Sequence, residues 1–180
     1  MSKALVLSVV LSLIVCGGAF AEETKTKPVE FGKTTKFTLA MPETWKSSIP
    51  ETGMRVLEVA VPKSGDDKED AEISVFVFPS SGGLAGNLPR WTGQFGGEAS
   101  LKSQHKVKTA SGVEADIAEL EGAYKGMSKD GPMTTAKDNF KMLGAVVITP
   151  NGEVYVKLIG PKATVDANKA AFDKAIESFK

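Results

Sequence analysis

Residues 140–160 read FKMLGAVVITPNGEVYVKLIG, and the way this stretch folds decides the class of the protein. Phe140 to Thr149 carries apolar residues at both alternating sets of positions. A strand of that kind has to be covered on both faces. Asn151-Gly152 supplies the residue types of a tight type I′ hairpin turn, whose two central positions need positive φ. Val154 to Ile159 then returns as the antiparallel partner. The stretch predicts a sheet hairpin with a layer above it and a layer below.

Ile73 to Phe78 (ISVFVF) repeats the two-faced pattern, with Ile73, Val75 and Val77 on one side and Phe76 and Phe78 on the other. Phe37, Leu39 and Met41 alternate with polar or small residues, the period of a half-buried strand. Met54 to Val61, His105 to Thr109 and Val113 to Tyr124 add three more strands. In the last of these the inward phase shifts between Ile117 and Leu120, which suits a bulge. Two helices complete the set. Asn87 to Glu98 places Leu88, Trp91 and Phe95 on one stripe, with Asn87 as N-cap, Pro89 in the first turn and Gly96-Gly97 at the end. Thr164 to Phe179 places Val165, Asn168, Phe172, Ile176 and Phe179 on one stripe, with Thr164 as cap and Asp166 near the positive end of the dipole. The class is α+β: a mainly antiparallel sheet of about six to seven strands with helices packed on its faces.

The N-terminus, MSKALVLSVVLSLIVCGGAFAEE, has a positive n-region at Lys3, an apolar stretch from Ala4 to Cys16 and a small-x-small site at Ala19-Phe20-Ala21. Residues 1–21 therefore read as a secretory signal peptide, residues 22–29 as a flexible lead-in, and residues 30–180 as a single domain. The alternative to ordinary cleavage is lipidation at Cys16, although Val15 replaces the small residue that normally precedes a lipidated cysteine. Either route implies export to the periplasm or the extracellular space. Cleavage after Ala21 removes the only cysteine, so the mature chain must hold together without disulfides. No second apolar stretch is long enough to span a bilayer. With 22 Lys and Arg interspersed among 22 Asp and Glu, there is no basic stripe of the kind a nucleic-acid partner requires.

The inventory of chemistry is short. His105 is the single histidine, and it lies in a strand-like run with no nucleophile-elbow pattern to accompany it. The acidic run Asp66, Asp67, Glu69, Asp70, Glu72 breaks the EF-hand pattern at Lys68 and lacks its glycine. It reads as a solvated loop, and neither a metal nor a cofactor is expected. The glycine-rich turn SSGGLAGN (80–87) could cradle a phosphate at a helix N-terminus, yet it has no P-loop ending, and Pro89 removes a donor. Packing is the first reading of Trp91 and Phe95. Arg90 and Gln94 share another face, one turn apart, and with Asn87 form a candidate polar contact site. The long loop Lys125 to Asp138 adds Lys125 and Lys129 as candidates for partner contact.

Element order, together with the segments TLAMPETW (38–45), NLPRWTGQF (87–95) and YVKLIGPK (155–162), resembles the PsbP-like α/β/α sandwich group and uncharacterised secreted bacterial proteins of that type. The resemblance implies a non-catalytic binding or assembly module with a protein partner in the cell envelope, and it brings no shared catalytic set. The alternative is a small-ligand or cation-binding envelope protein, supported by the acidic loop, the glycine-rich turn and Arg90.

Overall fold

In the computed structural model, which describes residues 24–95, 99–128, 131–132 and 135–180, the 140–160 hairpin is the centre of a seven-stranded antiparallel sheet. In chain order the elements are β1 (Thr26–Phe31), β2 (Phe37–Pro42), β3 (Lys46–Ser48), β4 (Arg55–Val61), β5 (Ala71–Phe78) and α1 (Gly83–Gly93). They continue with β6 (Ser100–Lys108), β7 (Glu114–Tyr124), the short pair β8 (Met127–Ser128) and β9 (Gly131–Pro132), β10 (Lys137–Thr149), β11 (Gly152–Pro161) and α2 (Lys162–Glu177). The large sheet runs β3-β4-β5-β11-β10-β7-β6, and β1 and β2 form a separate two-stranded sheet.

Because β5, β10 and β11 are apolar on alternate sides, the sheet buries both faces. On one face α2 and the β1–β2 hairpin pack over Leu57, Ile73, Val75, Leu143, Val156 and Leu158, with Phe172 and Ile176 fully buried between the layers. On the other face α1 sets Leu84 and Trp91 against Leu120, Met142, Val146 and Tyr155. Trp91 lies so close to β10 that a Cβ on Gly144 would come within 2.2 Å of its ring. Only glycine permits that approach.

Several sequence expectations are corrected. The lead-in is structured from Thr26 onward, because Val29 and Phe31 pair with Leu39 and Phe37 and help close the α2 face. The hairpin loop is Pro150-Asn151, with Thr149 opposite Gly152. Proline cannot adopt positive φ, so the turn is not type I′, and Gly152 takes the positive φ of 126°. No phase shift occurs in β7. Ala115 and Ile117 face α2, Ala118 and Leu120 face α1, and the irregularities in its pairing sit on its neighbours, between Leu101 and Ser103 of β6 and between Lys137 and Phe140 of β10. Helix α1 begins at Gly83, four residues before Asn87, and ends at Gly93 with Gln94 as its C-cap. Thr164 lies inside α2 and does not cap it. The signal-peptide reading of residues 1–21, Cys16 and Lys129 fall outside the described residues. Among those described, no helix is long and apolar enough to cross a membrane.

Candidate functional site

Strands spaced about 4.8 Å apart make a seven-stranded sheet roughly 29 Å wide. A helix is about 10 Å across, and the 11 residues of α1 extend only about 16 Å. One such helix cannot cover the face. It sits over β10 and β7, and the β4–β5 side beside it is left as a cleft of about 920 Å³. Ser74, Phe76 and Phe78 of β5 with Tyr155, Lys157 and Ile159 of β11 form the floor. Arg90, Trp91 and Gln94 make the helix wall, and the segment around Met54 makes the opposite rim.

Cross-strand register fixes which groups meet on the floor: Lys157 is opposite Ser74, Tyr155 opposite Phe76, and Phe76 opposite Arg55. Arg55 is clamped by Glu58 at 2.8 Å and Glu72 at 2.7 Å, and Ser74 donates to the same Glu72 carboxylate at 2.7 Å. Lys157 Nζ donates to Gln94 Oε1 at 2.9 Å. Burial pushes the Lys157 ammonium down to about 8, with Arg90 and then Arg55 pushing the same way and Glu72 opposing them. The removal of an ammonium from water is the dominant cost here, larger than the repulsion of its neighbours.

The glycine-rich turn answers the phosphate question. Glu153 of β11 projects into it and accepts from the backbone N–H groups of Ser81 at 2.9 Å and Gly83 at 3.1 Å. The Tyr155 hydroxyl also donates to Glu153. That hydroxyl is the chief reason the Glu153 carboxyl titrates below the usual carboxylate range, with burial opposing it and the two amides assisting. The anion position at the start of α1 is therefore filled from within the chain.

Of the candidates read from the sequence, Arg90 and Gln94 both line the cleft. Asn87 is buried below them as a strut. Its Nδ2 donates to the carbonyls of Ser81 and Gly83 and to Tyr155 Oη, and its Oδ1 accepts from Arg90. The Lys125 side chain is exposed away from the cleft lining, while its backbone N–H donates to the Gln94 carbonyl at 2.6 Å. The acidic loop is tied down more than its composition suggests. Asp67 accepts from Thr164 N at 2.8 Å and Thr164 Oγ1 at 2.6 Å, Asp70 accepts from Lys63 N at 3.0 Å, and Glu69 pairs with Lys137. His105 lies on the edge strand β6. By strand alternation it shares the α2 side with Val107, the face opposite the cleft.

Sequence reasoning missed Lys157 and Arg55. A signal for Lys157 was present: it interrupts VYVKLI, a strand otherwise apolar on both sides, and a lysine there must reach either water or a partner. On the α2 side, Glu119, Glu121 and Asp166 bring carboxylate oxygens within 4.8 Å of one another. Lys141 already occupies their midst, 2.6 Å from Glu119, 2.9 Å from Glu121 and bonded to Asp166.

No protein-family model matches the chain, and no curated protein is significantly similar to it in sequence. Among solved structures it is similar to cyanobacterial PsbP (CyanoP) from Synechocystis sp. PCC 6803, with a TM-score of 0.53 and 12% identity over 91% of this chain and 97% of that one. It is also similar to PA94, a protein of unknown function from Pseudomonas aeruginosa, with a TM-score of 0.48 and 13% identity over 83% of this chain and 94% of that one. At such identities the likeness speaks to fold alone, and on the CyanoP match the fold is PsbP-like.

Proposed function

We propose that this chain is an exported, non-catalytic binding module that holds a ligand in the cleft between α1 and the β4–β5 side of the sheet. The observation that carries the reading is the uncovered sheet half itself. Its volume of about 920 Å³ lies within the range of small-molecule sites. It combines partly exposed aromatic floor residues with a few fixed polar groups, the usual composition of such sites. The small-ligand alternative is thus favoured over an extended protein interface. A protein partner is the second reading, supported by Met54, which stands 72% exposed at the cleft rim. Export rests on the sequence of residues 1–21.

Native mass spectrometry of the protein released gently from its host's envelope tests the proposal. The expected spectrum shows a chain shortened by residues 1–21 and carrying a small molecule. A Gln94→Trp variant, which fills the cleft from the helix wall and removes the Lys157 acceptor, should still unfold cooperatively and arrive bare. Bare protein in both preparations, or a molecule retained by the variant, would overturn the cleft assignment.

A further inference from the structure

We infer that the cleft selects a small organic anion with an apolar body, its head held between Lys157 and Arg90 and its body along Phe76 and Phe78. The inference rests on the cleft reading above and names the chemistry of what fills it. Among the described residues four cations line the cleft, and they are paired unequally. Arg55 is held by two carboxylates and Lys137 by Glu69. Lys157 and Arg90 instead donate to amide oxygens, Gln94 Oε1 and Asn87 Oδ1. A cation bonded to a neutral acceptor keeps most of its charge available, and a charge-assisted bond to an incoming anion is about twice as strong as a neutral one.

Position adds direction. Arg90 and Gln94 lie one helical turn apart on the α1 wall, and Gln94 reaches Lys157 on the floor, so the two cations share one side of the cleft. Glu58, Glu69, Asp70 and Glu72 line the other parts of the wall and rim. Glu72 acts on Lys157 through space, but its carboxylate is engaged by Arg55 and Ser74. An anion is therefore drawn to the α1 side and repelled elsewhere. Beyond Lys157 along the floor come Phe76 and Phe78, stacked with ring centroids 6.2 Å apart and both partly exposed. A ligand that is only a charge would leave those rings wet, and one that is only apolar would leave the Lys157 ammonium with the neutral Gln94 amide as its partner and no counter-charge.

Calorimetric titration of the purified protein with octanoate, 1-octanol and acetate separates the two requirements. Octanoate should bind once per chain, at least about tenfold tighter than either of the others. Lys157→Met, which keeps the apolar volume, and Arg90→Gln should each weaken octanoate by about tenfold or more while the protein still melts cooperatively. Equal binding of octanol, or octanoate affinity unchanged in both variants, would overturn the anion assignment. If octanoate fails while a host-derived molecule is lost in Gln94→Trp, only the anion inference falls. If neither is seen, the cleft reading falls with it.

Discussion

Lys157 emerges from the floor strand among Tyr155, Ser74 and Gln94, in a setting that favours a neutral amine. Its folded value is about 8 against an ordinary 10.5. Below about 8 it is charged in both folded and unfolded chains, and the cost of burial is borne in full. Between the two values the unfolded chain binds more protons than the folded one, so this group's contribution rises as pH climbs through that window. Lys157→Met should therefore melt higher than wild type at pH 7, with the gap narrowing toward pH 10. A gap that stays constant would mean that the ammonium is not desolvated. Comparison of the two proteins is needed because other lysines act in the opposite sense: burial pulls Lys141 down but its three carboxylates together outweigh it, and Lys106 and Lys162 are shifted upward by their carboxylate partners. Asn87 gives the companion lesson. As a short polar residue two positions before Pro89 it suits an N-cap, and nothing local reveals that Glu153, 70 residues beyond Gly83 in sequence, satisfies the start of α1 and lets the helix begin earlier.

At the scale of elements, α2 shows the same division. Its stripe of Val165, Phe172, Ile176 and Phe179 was legible from spacing, and all four are buried. Its capping was not, because the acceptor comes from another element: Asp67 in the acidic loop takes both Thr164 N–H and Thr164 Oγ1–H. At the other end the β6–β7 turn donates from Ala110 and Ser111 to the carbonyls of Glu177 and Phe179. Asp67→Ala should cost about 1 kcal/mol, the usual loss for a removed cap, as read by urea unfolding. A loss indistinguishable from that of Asp66→Ala, whose residue is exposed, would show that the contact does not hold the helix. The strands apolar on both faces, β5 and β10, gave away the sheet because their pattern is intrinsic. The turn at Pro150-Asn151 did not, because the register that places it depends on the whole length of β10 against β11. The cleft was the least legible feature, since it is a difference between the width of a sheet and the reach of one helix.

Over the whole molecule, the two faces of the sheet are fastened differently. Opposite the cleft, Lys141 joins β10 to β7 and α2 through Glu119, Glu121 and Asp166, and Lys162 and Lys169 add further pairs. Burial opposes ionisation of Glu119 and Asp166, but the lysines outweigh it, and all three carboxyls titrate below their ordinary range. Their contribution is present at neutral pH and is lost as pH falls through the depressed values. Lys141→Ala should cost about 3–5 kcal/mol at pH 7, the usual result of stranding a buried charge. That penalty should shrink below about pH 4 as the carboxyls left behind take up protons, a trend that chemical unfolding at several pH values would follow. A penalty independent of pH would assign the loss to packing. On the cleft side the fastening is Glu153 in the glycine-rich turn, and it has a consequence for competition. A carboxylate tethered by the fold acts at an effective concentration on the order of millimolar or more. A free phosphate arriving at the start of α1 would face a resident that never diffuses away. That resident leaves Arg90 on the helix wall and Lys157 on the floor as the landing place for the anion proposed above.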